Sequence, residues 1–399
     1  MLQLRMLFLL ATLPLLAAHP LIAKDTEENF AVGTCKPKLT SFTTIQDAVS
    51  KVPPRSTVLV CPGVYPEQVT ISQPLTLQGI ADSNLDQIVI TVPTGGLAPN
   101  VTTNMLDSPL AVAAQVLVQN ANPVNITNIA VDGTGGDQVC ATSGTGLAGI
   151  FYGSGSSGSI NRVRVSGQKA NGQCGFGIWA ENAGSPNQFV TIQGSSVHDI
   201  DNAGIFAGSG PTPTLAVRMK DNVVIVPGAA AGIVLNNVNG EITGNDVSNA
   251  LLGIVDLGPA THVSSNNVTS TSFGVTLLAG GTVQSNDIMN SDTGVFLLGD
   301  GPANIQSNQI TLARTAIEFS CHAATVARNT INDAVTGLDQ VPATFTGMNT
   351  FANTGTIRTD CAAAAPRVSS MQAVSQKLTR LGLPPSKWGT PANPPGLRP

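Results

Sequence analysis

The stretch "SSVHDIDNAGIF" (195–206) gathers His198, Asp199 and Asp201, and "GIWAEN" (177–182) puts Glu181 two residues after Trp179. A lyase or glycoside hydrolase needs two titratable groups flanking the bond, one as acid and one as base or nucleophile. Asp201 and Glu181 form a candidate pair of this kind, with His198 as an alternate base. The same aspartates are also good Asx-turn formers, which would give them no chemistry at all. Calcium is the cofactor that Asp199 or Asp201 could hold, but "HDID" lacks the glycine-rich spacing of a dedicated calcium loop. No C-x-x-C occurs and the four histidines are scattered, so no transition-metal site is expected.

A second set of residues suits binding. "RVRV" (162–165) and "VRMK" (217–220) alternate cations with apolar residues. With the apolar members inward, Arg162, Arg164, Arg218 and Lys220 face solvent as a local basic patch suited to carboxylated sugars. The plainer reading is four cations solvated on a polar sheet.

These side chains are positioned by a repeat. A unit of glycine and a β-branched aliphatic recurs at Gly149, Gly177, Gly204, Gly232, Gly253, Gly274 and Gly294, with degenerate copies at Ala316 and Gly337. Successive spacings are 28, 27, 28, 21, 21, 20, 22 and 21 residues. A second unit runs in phase and places Asn245, Asn266, Asn286, Asn308, Asn329 and Asn349 at intervals of 20 to 22 residues. No period holds a ten-residue helical pattern. Short strands at this period predict an all-β fold, a single-stranded right-handed parallel β-helix in which each turn of the coil is one rung. The asparagines then stack as a structural ladder whose amides satisfy one another.

Alternation along the strands sorts the faces. If Ile150, Ile178, Ile205, Ile233, Ile254, Val275, Val295 and Ile317 point into the coil, Phe151, Trp179 and Phe206 stack on its outside. An exposed aromatic strip of this kind is a platform for the apolar faces of sugar rings; under a covering loop, the same residues would be satellite core. The rungs between Gly149 and Gly232 are also the longer ones, and their extra residues belong in loops that can wall a cleft. Asp256 breaks the pattern, because alternation points this acid inward.

Bulk composition agrees. Only 11% of residues are charged and 41 are glycine, far from the Lys- and Glu-rich surface of a helical protein. A net charge of -5 leaves no footprint for nucleic acid. Residues 1–23 read as a secretory signal peptide, with Arg5 ahead of an apolar run from Met6 to Ala18. No membrane span is expected once it is removed, and the location is secreted or periplasmic. Six cysteines in such a compartment suggest disulfides, and proximity favours Cys35–Cys61, Cys140–Cys174 and Cys321–Cys361. Residues 24–56 form an N-terminal cap in which "FTTIQDAVSKVP" carries a short helix N-capped by Thr43 or Thr44. The coil occupies 57–361, and 362–399 hold an amphipathic helical pattern followed by a proline-rich tail that includes Trp388.

The run "FTTIQDAVSKVPPRSTVLVCPGVYPEQVTISQPLTLQGI" (42–80) is the most specific piece. It is similar to the opening of pectin methylesterases and of related carbohydrate-binding or sugar-hydrolysing β-helix domains, and the chain resembles the pectin-lyase-like superfamily from about residue 35 to 360. Gly63, Tyr65 and Glu67 match the esterases' G-x-Y-x-E motif. The esterases' D-F-I-F-G and G-R-P-W segments, the N-T-D, G-H-G and R-I-K signatures of polygalacturonases, and the D-P-H-D motif of alginate epimerases have no counterpart. The resemblance therefore implies a fold without choosing a chemistry. Three readings follow. The first is a monomeric glycan-binding protein using Phe151, Trp179 and Phe206 with Arg162, Arg164, Arg218 and Lys220. The second is a polysaccharide lyase or hydrolase acting through Asp201, Glu181 and His198. The third is a structural or adhesin-type scaffold.

Overall fold

The computed structural model describes residues 28–362, apart from 81–86, 104–108, 137–143, 171–173, 185–186, 259, 300 and 346. Residues 1–23, expected to form a signal peptide, Cys140 and the C-terminal segment thus lie outside the described residues. What is described is a right-handed coil of parallel strands with one short helix, Ile45–Lys51. A thirteen-stranded sheet forms one face of the coil, and a twenty-two-stranded sheet folds around the rest. Strand Asn29–Val32, from the segment expected to form the cap, pairs in parallel with Thr57–Val60. All eight expected inward aliphatics, from Ile150 to Ile317, lie in a continuous buried core inside the coil.

Glycine is demanded at the repeat position by close approach. A Cβ on Gly177 would sit 2.4 Å from the Gly204 carbonyl and 2.5 Å from the Val197 side chain. The neighbouring rung's backbone fills the space a side chain would need.

The asparagine ladder runs one rung further than the repeat indicates, starting at Asn222. Each Nδ2 donates to the Oδ1 of the next asparagine, as from Asn222 to Asn245 and from Asn266 to Asn286, both 2.9 Å. Each backbone N–H donates to the same Oδ1, and Nδ2 also donates to a carbonyl, as from Asn286 to Val263 at 3.0 Å. The buried amides are therefore fully used in structure.

The G-x-Y-x-E motif is likewise architectural. The Glu67 carboxylate accepts from the backbone N–H groups of Ile45 and Gln46, both at 2.9 Å, at the start of the helix. Thr44 is the N-cap, its hydroxyl accepting from Asp47 N at 3.1 Å. Tyr65 donates its hydroxyl to the Cys61 carbonyl. These groups fasten the helix to the first rungs. Disulfides join Cys35 to Cys61 and Cys321 to Cys361, and Cys174 is disulfide-bonded too.

Asp256 does point inward, between Leu235 and Leu277 in the pairing register. It is fully buried; Oδ1 accepts from Gly258 N at 2.9 Å, and Oδ2 completes no hydrogen bond. Burial pushes its carboxyl up to about 7, with Thr261 and Gly258 acting in the opposite direction. A folded-state pKa above the unfolded one means stability that is fully present below about pH 4 and lost as pH rises through about 7. The penalty at full ionisation is on the order of 4 kcal/mol. Asp256→Asn is therefore expected to flatten the fall in stability between pH 5 and 8, measured by urea unfolding across that range. An unchanged slope would show that this carboxyl is not the source.

Candidate functional site

The outward file forms in register: Phe151 pairs with Trp179 and Trp179 with Phe206, at ring separations of 5.3 and 4.8 Å. Its expected exposure does not follow. Trp179 is 0% exposed, and Phe151 and Phe206 are buried with it. Val101 and Leu110, from the antiparallel pair Val101–Thr103 and Leu110–Val118, pack against the file, and Thr103 reaches Glu181 at its end. Phe176 and Trp179, three apart on one strand, meet at 4.2 Å in one cluster outside the coil, so simple alternation breaks between them. The file is thus the floor and wall of a trough outside the coil, and its side chains form a second apolar cluster from Val112 to Leu298. They offer no open sugar platform.

Glu181 lies at one end of its strand, buried, with Oε2 accepting from the Thr103 hydroxyl at 2.6 Å. Burial raises its carboxyl to about 7, against that hydrogen bond. The Trp179 indole N–H completes no hydrogen bond, though it lies near enough to Glu181 to favour the charged form.

Asp201 sits at the other end of the same strand. Its two oxygens accept from Ala170 N at 2.8 Å and Gly175 N at 2.7 Å, closing the loop before the strand. Burial lifts it to about 6 in spite of these bonds. From Gly175 to Glu181 is six residues of strand, about 20 Å of extended chain before allowing for the bend. Acid and base across a glycosidic bond stand roughly 5–9.5 Å apart. Asp201 and Glu181 do not form the expected pair, because strand register sends them to opposite ends. His198 is occupied with its neighbour: Nδ1 lies 2.8 Å from Asp199 Oδ2, and this contact first, with Lys169 behind it, holds Asp199 below its usual range. Asp199 takes a left-handed turn conformation.

The four cations do not make one patch. Arg218 and Lys220 face out of the thirteen-stranded sheet. Arg162 takes the left-handed turn position at its edge, and Arg164 lies on the next face of the coil. Arg218 Nε donates to Glu241 at 2.8 Å and Lys220 lies 3.8 Å from Asp221, so the local charge is nearly balanced.

What this sheet does present is a flat polar face. In register across it run Ser159, Thr191, Arg218, Glu241, His262 and Thr282. Beside them run Asn161, Gln193, Lys220, Thr243 and Ser264. On the same outward side of strand Gln188–Gln193 stands Phe189, 46% exposed. Sequence reasoning missed it because "QFVTIQ" lies outside the glycine-led unit. The signal was present: Val190 and Ile192 point inward, which leaves Phe189 out.

Known proteins fix the architecture. The family described as periplasmic copper-binding protein (NosD) matches residues 202–359, less than half of the chain. The lacto-N-biosidase of family GH136 from Eubacterium ramulus superposes with a TM-score of 0.60 at 12% identity, covering 83% of this chain and 68% of that one. The mannuronan C-5 epimerase AlgE4 A-module from Azotobacter vinelandii gives 0.50 at 16% identity, covering 80% and 94%. The chain has a right-handed parallel β-helix fold. At these identities the likeness to solved structures is one of fold. No curated protein matches the sequence.

Copper, named in the matching family's description, was tested against the donors present. Among the described residues no three of His, Cys, Asp and Glu gather at one point. Cys321 and Cys361 are bonded to each other, Met219 is buried in the coil interior, and His262 stands on the open polar face. These residues do not fit a copper centre. No described helix is long and apolar enough to cross a membrane.

Proposed function

We propose that the protein is exported and binds a glycan on the polar face of its thirteen-stranded sheet, around Phe189. The observation that carries this reading is one exposed aromatic ring set among regularly spaced hydroxyls, amides and cations. A ring of this kind stacks on the apolar side of a sugar while its neighbours hydrogen-bond the hydroxyls. The exposed Arg218–Glu241 pair is worth little in water, so both side chains can be lent to a ligand at small cost. Because Glu241 and Asp221 offset Arg218 and Lys220, a neutral glycan suits the face better than the carboxylated polymer expected from the cations alone. The coil fold shared with carbohydrate-processing enzymes is consistent with this substrate class, and the separation of Asp201 from Glu181 favours binding over cleavage.

The test is a glycan array with the processed protein, followed by product analysis of any retained polymer. Retention without new reducing ends is expected. Phe189→Ala should weaken retention about tenfold, roughly 1.4 kcal/mol, with thermal stability unchanged. Full retention by Phe189→Ala would remove this face from consideration, and release of fragments would restore the enzyme reading.

A further inference from the structure

The polar face around Phe189 is far longer in one direction than in the other. Along a strand only a few side chains point out, as Phe189, Thr191 and Gln193 do on strand Gln188–Gln193. That is a reach of about 13 Å at ~3.3 Å per residue. Along the coil axis, the pairing keeps one register from strand Leu75–Gly79 to strand Ala324–Ala327. The file that holds Thr191, Arg218 and Glu241 therefore runs from Thr76 to Thr325, and none of its side chains is buried. Its nine inter-strand steps span about 43 Å at ~4.8 Å each. Phe189 heads a second outward file, continued in register by Ala216 and Asn239. Alanine beside phenylalanine leaves a step next to the ring, flanked on the neighbouring file by Arg218 and Glu241.

We propose that this face takes a neutral, extended 1,4-linked glycan lying along the coil axis, about one sugar to each rung. Its track starts at Phe189, passes Ala216 and Asn239, and reaches the rungs of His262 and Thr282. The inference rests on the glycan reading above and deepens it. Spacing carries the orientation. A pyranose chain linked equatorially at both ends is a ribbon that advances by close to one rung spacing per sugar, so its repeating hydroxyls meet equivalent positions on successive rungs. In the strand direction the outward side chains stand about 6.7 Å apart, an interval that falls out of step with the ribbon, and the file ends after three of them. The side chains are also tied to one another along the axis. Arg218 Nε donates to Glu241 at 2.8 Å, and the Thr243 and Ser264 hydroxyls lie 3.2 Å apart. Groups held in the direction the glycan runs lose less side-chain freedom when it binds. Arg218, Glu241 and His262 occupy three consecutive rungs, which makes them the residues that read the second, third and fourth sugars.

Calorimetric titration of the processed protein with cello-, manno- and chito-oligosaccharides of two to six sugars tests this, with malto-oligosaccharides as a series that coils. Affinity for at least one ribbon series is expected to rise about tenfold or more from disaccharide to pentasaccharide, as one net hydrogen bond per added rung gives. The malto series should gain little. Thr282→Ala should cut the gain more than Gln193→Ala, because Thr282 lies at the far end of the axial track and Gln193 at the far end of the strand. Equal affinity at every length, an equal gain in the malto series, or the reverse ranking of the two variants would overturn the axial placement. So would retention of coiled or branched glycans alone. In each of these cases binding that still depends on Phe189 leaves the broader glycan reading standing. If no glycan is retained, both fall together.

Discussion

Trp179→Ala is expected to destabilise the protein by about 3–5 kcal/mol, the cost of emptying a large buried aromatic site. The ring is fully buried, stacked on Phe151 and packed at a tilt against Phe176 and Phe206. Chemical unfolding of the variant against the parent measures the loss. An exposed sugar platform would give the opposite pattern, a change within about 0.5 kcal/mol together with lost glycan binding. Under the present account the folded fraction of Trp179→Ala retains glycan as the parent does, because Phe189 is on a different sheet.

The second large effect belongs to the ladder. Asn286→Ala strips the acceptor from two buried donors, the N–H and Nδ2 of Asn266, and leaves the Val263 carbonyl without its side-chain donor. Each buried polar group left unsatisfied costs roughly 1–3 kcal/mol, so a loss on the order of 3 kcal/mol or more is expected by the same unfolding assay. Asn290→Gly is the control, because Asn290 holds a left-handed backbone (φ 56°) that Ala would strain and Gly does not. Its side chain is exposed and makes one long contact with Ser270 at 3.3 Å, so it should fall within about 0.5 kcal/mol. Equal effects from the two substitutions would mean that the ladder is not what holds this turn of the coil.

The coil itself was legible because its cause is periodic. Glycine returns wherever an adjacent backbone occupies the space of a Cβ, and asparagine returns wherever a stacked amide closes the turn, so both print their period on the sequence. Alternation also placed every inward aliphatic correctly. The burial of Trp179 was not legible, because alternation says which side of a strand a residue leaves from and nothing about what lies there. Nor does it show that Phe176 and Trp179, on either side of Gly177, meet on one face. Asp201 and Glu181 looked like neighbours because their rungs are adjacent; position along the strand, set by register, separates them. Asp201 then accepts from the backbone of Ala170 and Gly175, partners that carry no signature in side-chain identity. Phe189 obeys the same inward–outward rule that placed Arg218, and went unread only because its strand lies outside the conspicuous repeat.

Hydroxyl-radical footprinting of the processed protein, with and without a retained glycan, tests the central claim most directly, since Phe and Trp are both reactive and solvent access decides which is oxidised. The account predicts oxidation of Phe189 that the glycan suppresses, and little at Trp179 in either state. Oxidation at Trp179 that the glycan suppresses, with Phe189 indifferent to it, would contradict the account and return recognition to the aromatic trough.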